Sequence, residues 1–227
     1  MPASRVCNSG YIHNKIHVSI TTYGPTPNQI ESSSYSIDHI MSQAPNKHFI
    51  SANDLLIDSF KLAQSIYDSG YRPDFIIGVW RGGAPVGIAI QEYFEYMRIP
   101  TDHIAIRTSS YYGINRQDKN VRVHGLDYII ENVNAEDEVL LVDDVFDSGR
   151  SIKAIFDHMA LRTRRNMPHS MKIACPWYKP TRNITEYTPD FYVHETDDWL
   201  VFPHELTDLT EEEIRRHKPA LASLVGL

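Results

Sequence analysis

The segment Val139-Leu140-Leu141-Val142-Asp143-Asp144-Val145-Phe146-Asp147-Ser148-Gly149-Arg150-Ser151 constrains the fold more than any other part of the chain. Four apolar residues in a row suit a strand covered on both faces, the usual condition of a parallel sheet. That strand delivers two adjacent carboxylates, Asp143 and Asp144, to its carboxyl end, and a third, Asp147, stands where the chain turns. Beyond the turn, Ile152, Ile155, Phe156 and Met159 mark one face of a helix over 151–165. Ser148, Gly149 and Ser151 therefore lie at a helix N-terminus, where unpaired N–H groups and the dipole favour an anion. Small residues at that point let a phosphate approach the backbone closely.

Adjacent aspartates repel each other unless something cationic or rich in hydroxyls is bound between them. A phosphate on one side of the turn and a sugar diol on the other, with Mg²⁺ at Asp143 and Asp144, satisfies these groups. Two other readings fit less well. Asp143-Asp144-x-x-Asp147 matches the DDxxD cluster of prenyl-diphosphate synthases, but that cluster lies on a helix of an all-helical protein. Here a strand tetrapeptide precedes it and Ser-Gly follows. Helix capping alone needs one Asp or Ser, fewer than the acids and serines gathered here.

The surrounding sequence supplies the rest of an alternating pattern. Ser51 with Asp54 opens a helix in the manner of a capping box; Leu56, Phe60, Ala63 and Tyr67 follow at helical spacing, and Gly70 suits its stop. Residues 75–80 form a short apolar strand, Gly82-Gly83 turns the chain, and a helix is expected over 84–97. Residues 103–107 read as a strand, and the polar, Tyr-rich stretch from Ser109 to about Gly125 as a long mobile loop. Further strands are expected at 171–175 and 191–193, and a short helix at 211–216. Arg162, Arg164 and Arg165 complement the dipole at the end of the 151–165 helix. Strands alternating with helices predict an α/β fold: a parallel sheet flanked by helices, with ligands at the carboxyl ends of the strands.

Residues 1–50 differ from this body. They are rich in Ser, Thr, Asn, Tyr and His and lack apolar periodicity, so they read as an N-terminal arm. The expected division is an arm over 1–50, a main domain over 51–205 and a C-terminal tail over 206–227. With 22 Lys+Arg against 29 Asp+Glu in 227 residues, the net charge of −7 argues against a partner that is duplex nucleic acid or an anionic membrane. The cysteines, Cys7 and Cys175, form no CxxC pair, so neither a disulfide framework nor a thiolate metal site is indicated. No apolar stretch is long enough to span a bilayer and the first residues lack a signal-peptide core, which leaves a reducing cytoplasm as the expected compartment. Asn183-Ile184-Thr185 is then a chance glycosylation sequon.

The acid-and-serine segment resembles the ribose-phosphate signature of type I phosphoribosyltransferases, with serines at 148 and 151 where threonine is usual. The resemblance covers roughly residues 50–205 and is greatest to the purine (hypoxanthine/xanthine-guanine) branch. Trp80-Arg81-Gly82-Gly83 resembles the pyrophosphate loop, where a cis non-proline peptide is often found. Ser109-Ser110-Tyr111 resembles the start of a flexible loop that closes over the reaction. Trp177-Tyr178-Lys179-Pro180 with Asp197-Asp198-Trp199-Leu200-Val201-Phe202-Pro203 resembles a small base-binding hood, about 176–205. The family's tail commonly reads Phe-Pro-Trp-Glu, whereas here it is Phe202-Pro203-His204-Glu205, so His204 reshapes the base pocket or fills space.

The resemblance implies a Mg²⁺-dependent transfer of the phosphoribosyl group from phosphoribosyl pyrophosphate to a 6-oxopurine, in a homodimer or homotetramer. Ser148, Gly149, Arg150 and Ser151 would hold the 5-phosphate, Arg81, Gly82 and Gly83 the diphosphate, and Asp143 and Asp144 the ribose hydroxyls and the metal. Asp147 would be the general base. Lys179 offers only N–H donors, so it accepts a 6-oxo group and opposes adenine's amino group. Trp199 can stack on the purine, and backbone near Leu200 would meet position 2. The rival readings are a regulator of the same fold that senses phosphoribosyl pyrophosphate without turnover, and transfer to another base such as orotate.

Overall fold

The structure, a computed structural model, describes residues 47–112 and 119–227. Residues 1–46 of the arm expected over 1–50, and the centre of the 109–125 stretch, lie outside the described residues. In chain order the elements are β1 (Lys47–Phe49), α1 (Ala52–Asp68), β2 (Phe75–Trp80), α2 (Gly83–Tyr96), β3 (Asp102–Tyr112) and β4 (Lys119–His124). They continue with α3 (Asp127–Asn132), β5 (Glu138–Val142), β6 (Val145–Phe146), α4 (Arg150–Thr163) and β7 (Ser170–Tyr178). The chain ends with β8 (Phe191–Glu195), β9 (Trp199–Val201), α5 (Glu211–His217) and α6 (Pro219–Ala222).

Seven strands form the central sheet in the order β4-β3-β2-β5-β7-β6, with β8 also paired to β7. Every pairing in it is parallel except β3 with β4. β1 and β9 form a separate parallel pair in which His48 stands opposite Leu200. Both faces of the sheet are covered. Along β5, Leu140 and Val142 pack with Leu62, Ile66, Val86 and Phe94 from α1 and α2. Val139 and Leu141 pack on the other face with Ile129, Ile152, Ile155 and Met159 from α3 and α4. Two covered faces explain why β5 is an unbroken apolar run.

Two expectations shift. Helix α1 starts as expected, with Ser51 Oγ accepting from the Asp54 N–H at 3.1 Å, but its buried face is Leu55, Asp58, Ser59, Leu62, Ala63 and Ile66. Leu56 and Phe60, expected on that face, are exposed. Two satisfied polar residues disguise the true stripe: Ser59 Oγ donates to the Leu55 carbonyl at 2.6 Å, and Asp58 is paired with Lys61 and His194. The second shift concerns the stretch read as a loop from Ser109. Its described residues are the ends of an antiparallel ribbon, with Ser109 opposite Arg122 and Tyr111 opposite Asn120. Beyond Arg107, β3 has lost its pairing to β2 and keeps only β4; the partner strand alternates Val121 and Val123 with polar residues, and Val123 packs on the core at the root of the ribbon. Among the described residues no helix is long and apolar enough to cross a membrane.

Candidate active site

The sheet brings the turns after β2, β5 and β7 to one edge, the carboxyl ends of its adjacent central strands. The turn after β2 runs through the Trp80–Arg81 peptide, which is cis, as the resemblance implied. Gly82 and Gly83 follow, packed against β5 so tightly that side chains are excluded. A Cβ on Gly83 would lie 2.2 Å from the Val142 carbonyl oxygen, and one on Gly82 would lie 1.8 Å from Asp144 Oδ2. The turn after β2 and the acidic pair are thus one packed unit. Arg81 beside them is exposed.

Asp144 is buried and Asp143 partly so. Burial disfavours their charged forms and pushes both carboxyls above the ordinary range; the charge of Asp144 adds to this for Asp143, and that of Glu205 for Asp144. Such a pair is primed for a cation or for hydroxyl donors. The donor set is oxygen only, which suits a hard ion such as Mg²⁺. Among the described residues no three His, Cys, Asp or Glu side chains converge on a metal position. An ion here would draw its remaining ligands from substrate oxygens and water, which is the normal habit of Mg²⁺.

The next turn forms a small cup of about 90 Å³ lined by Asp143 and by residues 145–152. Gly149 is its pivot, with φ of +75° as it caps α4. A Cβ there would also meet Thr185 Oγ1 at 2.3 Å and Asn183 Oδ1 at 3.0 Å. Ser148 and Ser151 are half-buried in the cup and Arg150, the first residue of α4, is exposed. Thr108 Oγ1 donates to Ser151 Oγ at 3.4 Å, which ties the root of the β3–β4 ribbon to this loop. Ser109 Oγ lies 3.3 Å from His124 Nε2.

Register fixes the third part. β6 pairs with β7 so that Phe146 faces Tyr178, and the Lys179 N–H donates to the Phe146 carbonyl at 2.9 Å. The next residues, Asp147 and Lys179, are therefore brought together: Nζ lies 3.4 Å from Oδ2. Lys179 is 7 % exposed. Arg182, a residue not singled out from sequence, reaches the same carboxylate, its Nε donating to Oδ1 at 3.0 Å. Its signal was present, since it stands three residues after Lys179 on the short helical turn that Pro180 begins. Trp199 is exposed on β9, while the Leu200 side chain is buried with Trp177 and Phe202. His204 does not join Asp147 and Lys179: its Nε2 lies 3.8 Å from Asp144 Oδ2.

Known proteins place this arrangement. The phosphoribosyl transferase domain family matches residues 51–210. The hypoxanthine-guanine phosphoribosyltransferase of Streptococcus pyogenes is 24% identical over 153 residues, which cover 67% of this chain and 79% of that protein. The crystal structure of a purine phosphoribosyltransferase from Pyrococcus horikoshii superposes with a TM-score of 0.57 at 26% identity, covering 72% of this chain and 97% of that one. A Helicobacter pylori xanthine-guanine-hypoxanthine phosphoribosyltransferase shares the fold at a TM-score of 0.55 and 19% identity, over 69% and 92% of the two chains. The chain belongs to the phosphoribosyltransferase family.

Proposed function

We propose that the protein transfers the 5-phosphoribosyl group of phosphoribosyl pyrophosphate to N9 of a 6-oxopurine (hypoxanthine, guanine or xanthine), releasing pyrophosphate, with Mg²⁺ as cofactor. The observation that carries this reading is the buried Lys179 ammonium 3.4 Å from the Asp147 carboxylate. A donor-only group beside an acceptor-only group complements the O6 and N7–H edge of a 6-oxopurine. Adenine would set its own amino donor against Lys179. The name of the streptococcal relative supports the same base class, and that of the Pyrococcus structure supports a purine.

In this reading the N–H groups and hydroxyls of Ser148, Gly149, Arg150 and Ser151 hold the 5-phosphate at the start of α4. Gly82 and Gly83 offer backbone N–H groups to the diphosphate, and Arg81 stabilises the charge that gathers on it as the C1′–O bond breaks. Asp143 and Asp144 bind the ribose hydroxyls. The same two carboxylates would hold Mg²⁺, which neutralises charge on the diphosphate. Asp147 accepts the N7 proton as N9 bonds to C1′. Trp199 stacks on the base, and the backbone of Leu200 meets position 2. The ribbon that starts at Ser109, Ser110 and Tyr111 closes to exclude water.

The organisation proposed with it is an arm over 1–50, a catalytic domain over 51–205 with its hood from 176, and a tail over 206–227. A cytoplasmic enzyme accords with the free, buried thiol of Cys175. A homodimer or homotetramer is supported by the apolar surface of Leu56, Trp80, Pro85 and Ile88, suited to a second copy of this chain.

The test is turnover of phosphoribosyl pyrophosphate with Mg²⁺, offering hypoxanthine, guanine, xanthine, adenine and orotate separately. Pyrophosphate release and nucleotide absorbance are followed. Turnover confined to 6-oxopurines is expected. Turnover of orotate or adenine alone overturns the base assignment, and tight binding of phosphoribosyl pyrophosphate with no turnover makes the protein a sensor.

A further inference from the structure

We propose that His204 completes the diphosphate side of the site, not its base side, and that Lys218 of the C-terminal tail positions it there. The inference rests on the reading of the substrate as phosphoribosyl pyrophosphate.

The first observation is where the imidazole lies. His204 Nε2 is 3.8 Å from Asp144 Oδ2, and Asp144 itself lies against Gly82 of the turn that follows Trp80 and Arg81. His204 also stands, with Trp80 and Arg81, at the rim of the apolar groove of Leu56, Pro85 and Ile88 proposed above to face a second copy. Its other face stacks on Phe202, ring centroids 5.9 Å apart and planes 14° from parallel. Among the described residues no contact joins it to Lys179 or Asp147. At 3.8 Å the imidazole is too far from the carboxylate for a direct hydrogen bond. A water or hydroxyl can bridge the two groups; a diphosphate oxygen, an acceptor only, can be met by the imidazole N–H but not by the carboxylate. A histidine there can donate or accept, whereas the family's tryptophan can only donate.

The second observation is how the turn bearing His204 is held. The Lys218 ammonium is buried and donates to three main-chain carbonyls of that turn: Phe202 at 2.6 Å, Pro203 at 3.1 Å and Glu205 at 2.7 Å. An ammonium has three donors, and all three are used on one four-residue segment. Glu205 closes the same turn from within, its carboxylate accepting from the Phe202 N–H at 3.1 Å. Lys218 lies at the junction of α5 and α6, so its side chain ties the tail directly to this turn. Its role is to position His204, not to touch substrate.

The experiment compares wild type with His204→Phe, which keeps the stack on Phe202, and with Lys218→Met and Lys218→Arg. Two readouts are taken: KM for each substrate, and calorimetric binding of pyrophosphate with Mg²⁺ in the absence of base. His204→Phe is expected to raise KM for phosphoribosyl pyrophosphate and weaken pyrophosphate binding by about tenfold each, the scale of one hydrogen bond to a charged group. KM for the base should stay within about twofold. Lys218→Met should reproduce that split, and Lys218→Arg, which keeps a cation, should recover most of it. A rise in base KM with unchanged pyrophosphate binding returns His204 to the base side and overturns the proposal, as does no change in either. If Lys218→Met fails to fold, His204→Phe and Lys218→Arg still decide. If wild type turns over no base, the substrate reading fails while pyrophosphate binding still tests His204.

Discussion

Lys179 holds Asp147 from the neighbouring strand end, Nζ to Oδ2 at 3.4 Å, and the register of β6 against β7 makes the meeting obligatory. The two residues differ in exposure: the Lys179 side chain is 9% exposed and that of Asp147 37%. The ammonium is thus the fixed partner and the carboxylate the accessible one. Accessibility is what a proton acceptor needs. Asp147→Asn preserves shape and removes the acceptor of a full proton, so kcat should fall by about 10²–10⁴-fold, the usual range for a lost general base. Near-normal kcat in steady-state assays would remove Asp147 from proton transfer.

Lys179 should govern which base is used. Lys179→Gln offers either a donor or an acceptor, one bond short of the ammonium, so it tolerates a 6-amino group. The ratio of kcat/KM for hypoxanthine over adenine should drop by about 10–100-fold, equivalent to about 1–3 kcal/mol for an unpaired buried polar group. Competition between the two bases in one reaction measures the ratio directly.

Gly149 is required twice over, by its φ of +75° and by the Thr185 Oγ1 that a Cβ would meet at 2.3 Å. Gly149→Ala should cost about 1–3 kcal/mol from backbone conformation alone. Thr185→Ala in the same chain should return part of the loss, because only the clash is relieved. Denaturant melts of the two single variants and the double variant separate the contributions.

The sheet and its acidic turn were legible in sequence because β5 carries its period and its chemistry in consecutive residues. Gly82 and Gly83 were legible for the same reason, as small residues beside a strand end. Contacts set by register rather than by neighbours in sequence were not. Arg182 meets Asp147 only because β7 lies beside β6, and Lys218 meets the Phe202 carbonyl through tertiary packing alone. The face of α1 was misread where Asp58 and Ser59 occupy inward positions as satisfied polar groups. The corrected face makes its own prediction. Leu62→Ala, at a fully buried site, should cost about 2–5 kcal/mol. Leu56→Ala, exposed one helical position from Leu55, should stay within about 0.5 kcal/mol in the monomer.

The acidic pair should leave a pH signature on stability. Asp143 and Asp144 hold their protons more tightly in the folded chain than in the unfolded one. Between the ordinary carboxylate range near about 4 and their raised values, the native state therefore binds more protons, and their contribution to stability falls as pH rises. Asp58, Glu186 and Glu213, all lowered by their partners, act below that window. His204 pulls the other way within it, because burial disfavours its charged form. The readout is accordingly a difference. Asp143→Asn keeps an oxygen for the Asp144 N–H, now bonded at 3.0 Å, while removing one buried charge. Without metal or substrate, its Tm should exceed that of wild type at pH 7, and the gap should narrow as pH falls through about 6, where Asp144 gains its proton. A gap that is constant or widens on acidification would mean that Asp143 carries its charge at no cost to the fold.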